Sequence, residues 1–335
     1  MLLSIVIPVH NNPELIQRCL ESVIPEIVPN FVEVIVVNDQ SDEETVQVLK
    51  QCSDSIKIVN TKQREGVPGP CRNLGASAAT GDYIWCIDYD DVILHGAIQI
   101  ALDLIQKYQA YDIIYLGQLS YQDQTFFGTY TEAVTNKFDE SWQIPTTVEA
   151  KFTEGFFTNG PVRWYCCPWM FFYKRSIFEK QQFTKYAAED LEFFIRAMGS
   201  GFSICNVRSC LYRKLNRPDS LFYNLSLEQA FGGVVSLLNT TAEVLSPLNL
   251  DYYTKQKLLF TIVSGPVLDF INSPNLSDPD KIQEYVMDHL DDIKVTDTTK
   301  AALINFFLGM IIRGAFSGLT QANFPQPVIP SEVKS

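Results

Sequence analysis

The chain has eight cysteines but no C-x-x-C and no Cys/His cluster at zinc spacing, so nothing in it announces a zinc centre. Reduced thiols are the expected state, several of them in apolar segments such as "YIWCI" and "FSICNV". Vicinal Cys166 and Cys167 would also admit a redox switch. Positive charge is scarce: 26 Lys and Arg against 39 Asp and Glu leave a net charge of −13. That balance argues against general affinity for nucleic-acid phosphates, and an anionic substrate would need a local cation. Low-complexity tracts and internal repeats are absent, so disorder is expected only at the tail. The opening "MLLSIVIPVHNN" lacks a basic flank, a long apolar run and a small-residue cleavage site, which argues against a secretory leader. An apolar stretch at 302–319 is interrupted by Asn305 and Arg313 and barely reaches spanning length; it reads as a buried or interfacial helix. The expected location is the cytoplasm, with a peripheral seat on the inner face of the membrane left open.

What is present is a strand and helix alternation over the first hundred residues. "SIVIPV" (4–9) is a short β-branched run, and the helix after it is capped by Asn12 and Pro13, with Leu15, Cys19, Leu20 and Val23 on one face. "VEVIVVND" (32–39), the helix "SDEETVQVLKQC", the strand "IKIVN" (56–60), a helix from "CRNLGASAA" and the strand "YIWCID" (83–88) follow. Apolar strands separated by helices predict an α/β fold, Rossmann-like, with a mostly parallel sheet flanked by helices. In such sheets ligands bind beyond the carboxyl ends of the strands, where Asp39, Asp88 and Asp90 fall. A helix at 94–109 and a strand at 111–117 continue the pattern, residues 120–147 break it as an excursion or edge hairpin, and a helical stripe returns at 187–201. The expected division is a catalytic unit at 1–222, a helical C-terminal region at 223–321 and a flexible tail at 322–335.

The run "ATGDYIWCIDYDD" closes a buried strand with three carboxylates, Asp88, Asp90 and Asp91. Like charges this close are costly unless donors or a cation neutralise them. One account is that Asp90 or Asp91 caps the 94–109 helix. The other is that the acids hold a divalent metal, hard oxygen ligands suiting Mg²⁺ or Mn²⁺, which in turn holds a diphosphate.

"SIVIPVHNNPELIQRCLESV", "VEVIVVNDQSDEET", "REGVPGPCRNLGASAATGDYIWCIDYDD" and "AAEDLEFFIRAMGSG" stand in an order and spacing that resembles family 2 glycosyltransferases of the GT-A fold, over residues 4 to about 215. The resemblance implies an inverting transferase that takes a sugar from a nucleotide diphosphate donor, usually UDP-linked, with a divalent metal (Mn or Mg) as cofactor. It implies that Asp39, with Asn38 and Ser41 alongside, binds the nucleobase, the alternative being a cap for the following helix. Pro8 and Val9 would lie against the base, with His10 a packing or backbone neighbour. It places Arg72 of "CRNLG" near the nucleotide, a role that guanidinium geometry suits. Asn73 and Gly75 would position that turn and allow close helix and strand approach. It assigns Asp88 to the ribose and Asp90 to the metal, leaves Asp91 as a supporting or capping residue, and makes Asp190 the general base, with Glu189 the alternative. First-turn acids favouring the helix dipole would explain either residue without chemistry.

One departure from the family stands out. Many relatives carry a histidine after the "ED" helix; here "LYRKLNRPDS" has none, and either Asn216 or a basic neighbour takes its place, Arg213 or Arg217 being placed to neutralise the leaving group. On the acceptor side, Trp164, Trp169 and Trp142 are candidates to stack on a saccharide, with core packing the competing role; Phe171 and Phe172 are expected in the core. A nucleotidyltransferase would show a glycine-rich basic loop after the first strand, which "PVHNNPEL" is not. A non-catalytic sugar-nucleotide-binding protein would have no need of the acids. The helical region is left with packing on the catalytic unit, homodimerisation or membrane contact as uses.

Overall fold

The structure is a computed structural model that describes residues 1–117, 120–123, 134–135, 144–155, 167–216, 225–271, 281, 284–285 and 288–294. The helix expected at 302–319 and the tail lie outside those residues. Strands β1 (Leu3–Val9), β2 (Val32–Asn38), β3 (Lys57–Asn60) and β4 (Tyr83–Cys86) alternate with helices α1 (Pro13–Val23), α2 (Glu43–Gln51) and α3 (Pro68–Ala78). They pair in parallel in the order β3-β2-β1-β4, with Ile5 opposite Val34 on one side and Trp85 on the other. Continuous β-branched sequence suits this placement, because the inner strands of a parallel sheet are covered on both faces.

The second half of the sheet departs from the simple alternation. After β5 (Val92–Ile93), α4 (Ala97–Lys107), β6 (Ile113–Gly117), β7 (Ser120–Asp123), β8 (Val134–Thr135) and the single helical turn α5 (Val148–Ala150), the chain forms β9 (Phe171–Lys174). β9 runs antiparallel between β4 and β6. Phe171 and Phe172 on it are fully buried, as expected. Next come the short α6 (Ile177–Lys180), α7 (Glu189–Gly199), β10 (Ile204–Cys210), β11 (Tyr212–Asn216), α8 (Leu227–Leu245) and α9 (Tyr252–Ile271). β10 extends the main sheet parallel to β6, while β11 leaves it to form a small sheet with β5 and β7.

Local chemistry sets several element ends. Asn12 caps α1 by accepting from Leu15 N at 3.3 Å, and Pro13 opens that helix. Asp42, and not Asp39, caps α2 through Thr45 N at 2.8 Å. α4 starts later than the sequence pattern predicts, because Leu94 continues the pairing of β5 by donating from its N to the Leu211 carbonyl at 2.9 Å. Its N-terminus is capped by neither Asp90 nor Asp91: Glu26 accepts from Gly96 N at 2.5 Å and Ile98 N at 3.1 Å. No helix among the described residues is long and apolar enough to cross a membrane.

Gly75 lets α3 lie against β1 and β2: a Cβ there would collide with Val6 Cγ1 and come within 3.1 Å of Val37 Cγ2. Gly75→Ala is therefore expected to cost about 1–3 kcal/mol of stability in urea denaturation. A midpoint equal to wild type would show that the contact is loose.

Candidate functional site

Three loops at the carboxyl end of the parallel strands build the donor side of the site. Asp39 follows β2 and is buried; its Oδ1 accepts from Thr61 Oγ1 at 3.0 Å and Glu65 N at 2.8 Å, and its Oδ2 from Gly66 N at 3.1 Å. Gly66 adopts a φ of +73°, which lets the chain curl around the carboxylate. His10 Nδ1 donates to the Asp39 carbonyl at 2.7 Å, the neighbour role expected of it. Asn11 N donates to Ser41 Oγ at 3.0 Å and Asp42 N to Asn11 Oδ1 at 2.8 Å, so the loops after β1 and β2 are stitched together. Pro8 and Val9 are buried strand residues paired with Val37 and Asn38. They fix the strand end and offer little surface of their own.

The acids after β4 occupy a turn two to five residues beyond its end, closed by Asp91 N donating to the Asp88 carbonyl at 3.2 Å. One ligand oxygen from each of Asp88, Asp90 and Asp91 lies within 4.8 Å of the others. Asp91 is 0% exposed and bolts the turn to β11: its Oδ2 accepts from Tyr212 OH at 2.6 Å and Lys214 Nζ at 3.3 Å, its Oδ1 from Leu215 N at 2.7 Å. Burial pushes its carboxyl up to about 7, against the pull of Lys214 and with the push of Asp90 and Asp88. The donor set is entirely carboxylate oxygen, which fits Mg²⁺ or Mn²⁺ and not a softer ion. With Asp91 spoken for by β11, Asp90 and Asp88 are the residues that would hold such an ion.

Arg72 on α3 joins this turn to the helix that carries the "ED" pair. Its Nη2 donates to Asp88 Oδ1 at 2.8 Å and its Nη1 to Glu189 Oε1 at 2.6 Å, across 117 residues of sequence. The side chain is 2% exposed and its Cζ lies 5.5 Å from the Phe183 ring centroid. Arg72 thus stands beside the acidic turn, each Nη giving one N–H to a carboxylate. Asn73 beside it exchanges two bonds with the Phe183 backbone, at 2.8 and 2.9 Å, and so holds the loop leading into α7.

Glu189 and Asp190 open α7 with different environments. Burial pushes the Glu189 carboxyl up to about 7, with Arg72 pulling it down and Asp190 pushing it further up. Asp190 is partly exposed and accepts from Leu191 N at 2.7 Å; burial raises it above the ordinary aspartate value, Arg72 opposing and Asp88 adding to the rise. The preceding Ala188 sits at φ +60°, a left-handed conformation that costs a residue with a side chain about 1 kcal/mol or more.

The residues expected on the diphosphate and acceptor sides fare unevenly. Arg213 is buried and lies on the face of β11 opposite Tyr212 and Lys214, because strand side chains alternate. Lys214, a basic neighbour in the same segment, reaches Asp91 at 3.3 Å. Burial pulls its ammonium down, yet Asp91, then Asp88 and Asp90, hold it above the ordinary lysine value. Only the strand register with β5 and β7 could have chosen between the two. Trp169 is 5% exposed, its ring stacked on Tyr212 at 5.3 Å with Lys214 Nζ 4.6 Å from its centroid. It is part of the wall that backs the acids, in keeping with the core-packing alternative. Arg217, Trp142, Trp164, Cys166 and the side chain of Asn216 lie outside the described residues.

The buried Asp39 loop stands at the end of β2, and Arg72 joins the acidic turn after β4 to the acidic start of α7. The family profile described as "Glycosyl transferase family 2" matches residues 4–181, and the chain belongs to that family. Among curated relatives, the poly(ribitol-phosphate) beta-glucosyltransferase of Bacillus spizizenii is 35% identical over 97 residues, 28% of this chain and 15% of its own length. The chain spans less than a fifth of the length of the first curated relatives it matches. Among solved structures, S. aureus TarS 1-349 in complex with UDP-GlcNAc superposes with a TM-score of 0.65 and 17% identity, covering 94% of this chain and 88% of that one. The mannosyltransferase PcManGT of Pyrobaculum calidifontis, in complex with GDP-Man and Mn²⁺, superposes with a TM-score of 0.50 and 12% identity, covering 95% and 88%. At these identities the superpositions show the fold, which is GT-A.

Arg72→Ala should leave Glu189 buried without its cation and cost about 3–5 kcal/mol at neutral pH. Unpaired buried acids have folded pKa values above their unfolded ones, so that deficit should shrink as the pH is lowered toward 5 and the acids protonate. Urea denaturation at both pH values tests this; a deficit that is small or independent of pH contradicts the bridge.

Proposed function

We propose that the chain is an inverting glycosyltransferase that moves a sugar from a UDP-linked donor to a hydroxyl of a saccharide acceptor. The observation that carries this reading is the placement of Asp90 and Asp190 on two sides of one arginine bridge, with Arg72 bonded to the neighbour of Asp190 and to the acid two residues before Asp90. The neighbours crystallised with UDP-GlcNAc and with GDP-Man and Mn²⁺ support a nucleotide-sugar donor, and the relative named for poly(ribitol-phosphate) supports a polymeric acceptor.

In this reading the Asp39 loop receives the uracil and the Asp88 side of the acidic turn receives the ribose. A divalent ion bound at Asp90 would supply Lewis-acid neutralisation of the departing diphosphate. Lys214 adds fixed positive charge on the same side of the site, the part that sequence comparison leaves to a histidine in many relatives. Asp190 takes the proton from the acceptor hydroxyl as its oxygen attacks the anomeric carbon, and the bond from that carbon to the diphosphate oxygen breaks on the opposite face. A carboxyl raised above the usual aspartate value is a better base for this than an ordinary one. Glu189, held by Arg72, keeps the first turn of α7 in place beside it.

Asp190→Asn is expected to lower transfer by at least about a hundredfold while UDP still raises the melting temperature as in wild type. Undiminished transfer would remove Asp190 from the mechanism. Mn²⁺ should add to the thermal stabilisation by UDP in the wild type and not in Asp90→Asn, and EDTA should abolish the activity; a metal response preserved in Asp90→Asn would place the ion elsewhere.

A further inference from the structure

The turn that presents Asp190 is not self-supporting. Ala188, immediately before the pair, is held at φ +60° without a glycine's freedom and without a side-chain cap of its own. What lies against it is α8, a helix outside the residues matched by the family profile. α8 starts with a reciprocal capping box, Ser226 Oγ accepting from Gln229 N at 3.2 Å and Gln229 Oε1 from Ser226 N at 3.1 Å. Its Gln229 carbonyl accepts from Ala187 N at 3.3 Å. One turn further on, Gly232 and Gly233 seat the turn itself: a Cβ on Gly232 would lie 2.6 Å from the Tyr186 ring, and one on Gly233 would collide with the Ala187 carbonyl oxygen.

The same face of α8 continues as Ser236 and Thr240, and both reach one carboxylate on α7. Glu192 is 3% exposed. Its Oε2 accepts from Ser236 Oγ at 2.8 Å and Thr184 Oγ1 at 2.9 Å, its Oε1 from Thr240 Oγ1 at 2.9 Å, and Arg196 lies 3.6 Å away. At the far end Gly199 meets Val244, so the two helices run side by side in the same direction. A buried carboxylate satisfied by three hydroxyls from two elements, two residues after the base, locks the helix against rotation and sliding.

We infer that α8 is a positioning element of the catalytic centre: its Gly232–Gly233 seat and the Ser236–Glu192–Thr240 latch fix the left-handed turn at Ala188 and thereby aim Asp190. This rests on Asp190 being the base, and it makes the helical region from α8 onward a working part of the site.

The test compares wild type, Ser236→Ala/Thr240→Val, Ser236→Ala/Thr240→Ser, Gly233→Ala and Asp190→Asn, using UDP release from UDP-glucose and UDP-N-acetylglucosamine together with amide hydrogen exchange over residues 186–192. Loss of the latch hydroxyls should lower kcat by about tenfold or more with donor KM changed less than about twofold, because misaiming a base spares donor binding. Exchange over 186–192 should rise, serine at position 240 should restore both, and Gly233→Ala should behave like the latch variant. Unchanged exchange in the latch variant overturns the inference without need of any substrate. So does wild-type kcat where Asp190→Asn is inactive, or a loss shared by kcat and KM that serine does not restore. Full turnover in Asp190→Asn overturns the base assignment, and the latch with it.

Discussion

The site depends on one buried guanidinium. Arg72 spans Asp88, at the end of the parallel sheet, and Glu189, at the start of α7. A cation and two carboxylates buried together repay their desolvation only with close geometry, and bonds of 2.6 and 2.8 Å supply it. Removing Arg72 would leave both carboxylates without their cation, so the bridge holds the two loops in a way an apolar contact would not. That rigidity is useful here, since donor and acceptor chemistry need a fixed separation.

Around the bridge, charge is distributed by occupation. Of the three acids after β4, Asp91 is consumed by Tyr212, Lys214 and the backbone of Leu215, and Asp88 is shared with Arg72. The repulsion that the cluster would suffer is relieved on two flanks by cations already in the protein. Asp90 completes the cluster, its ligand oxygen within 4.8 Å of those of Asp88 and Asp91, and the metal proposal centres on it. Tyr212 ties the same cluster to Trp169 by stacking, so an aromatic wall and an acidic turn are one structural unit.

The strands through β4, the helices between them and the acidic positions were legible in the sequence because they are local: periodicity, a cap at Asn12, carboxylates at strand ends. Gly75 was legible for its close packing. The antiparallel insertion of β9 was not, since nothing local distinguishes an apolar run that reverses direction. The carboxylate partners of Arg72 were not legible, because they are 16 and 117 residues away. Which of Arg213 and Lys214 faces Asp91 is a matter of strand parity, and parity needs register. The inward position of Glu192 was not legible, since it follows from the Ser236 and Thr240 hydroxyls on α8, more than forty residues away.

The most direct test of the account is a crystal structure of the chain with UDP and Mn²⁺, with the ion located by its anomalous scattering. The expected result is Mn²⁺ bound by Asp90, with Arg72 still bonded to both Asp88 and Glu189 and making no bond to the diphosphate. A structure in which Arg72 has left either carboxylate to bind the phosphates, or in which Mn²⁺ sits away from Asp90, would contradict it.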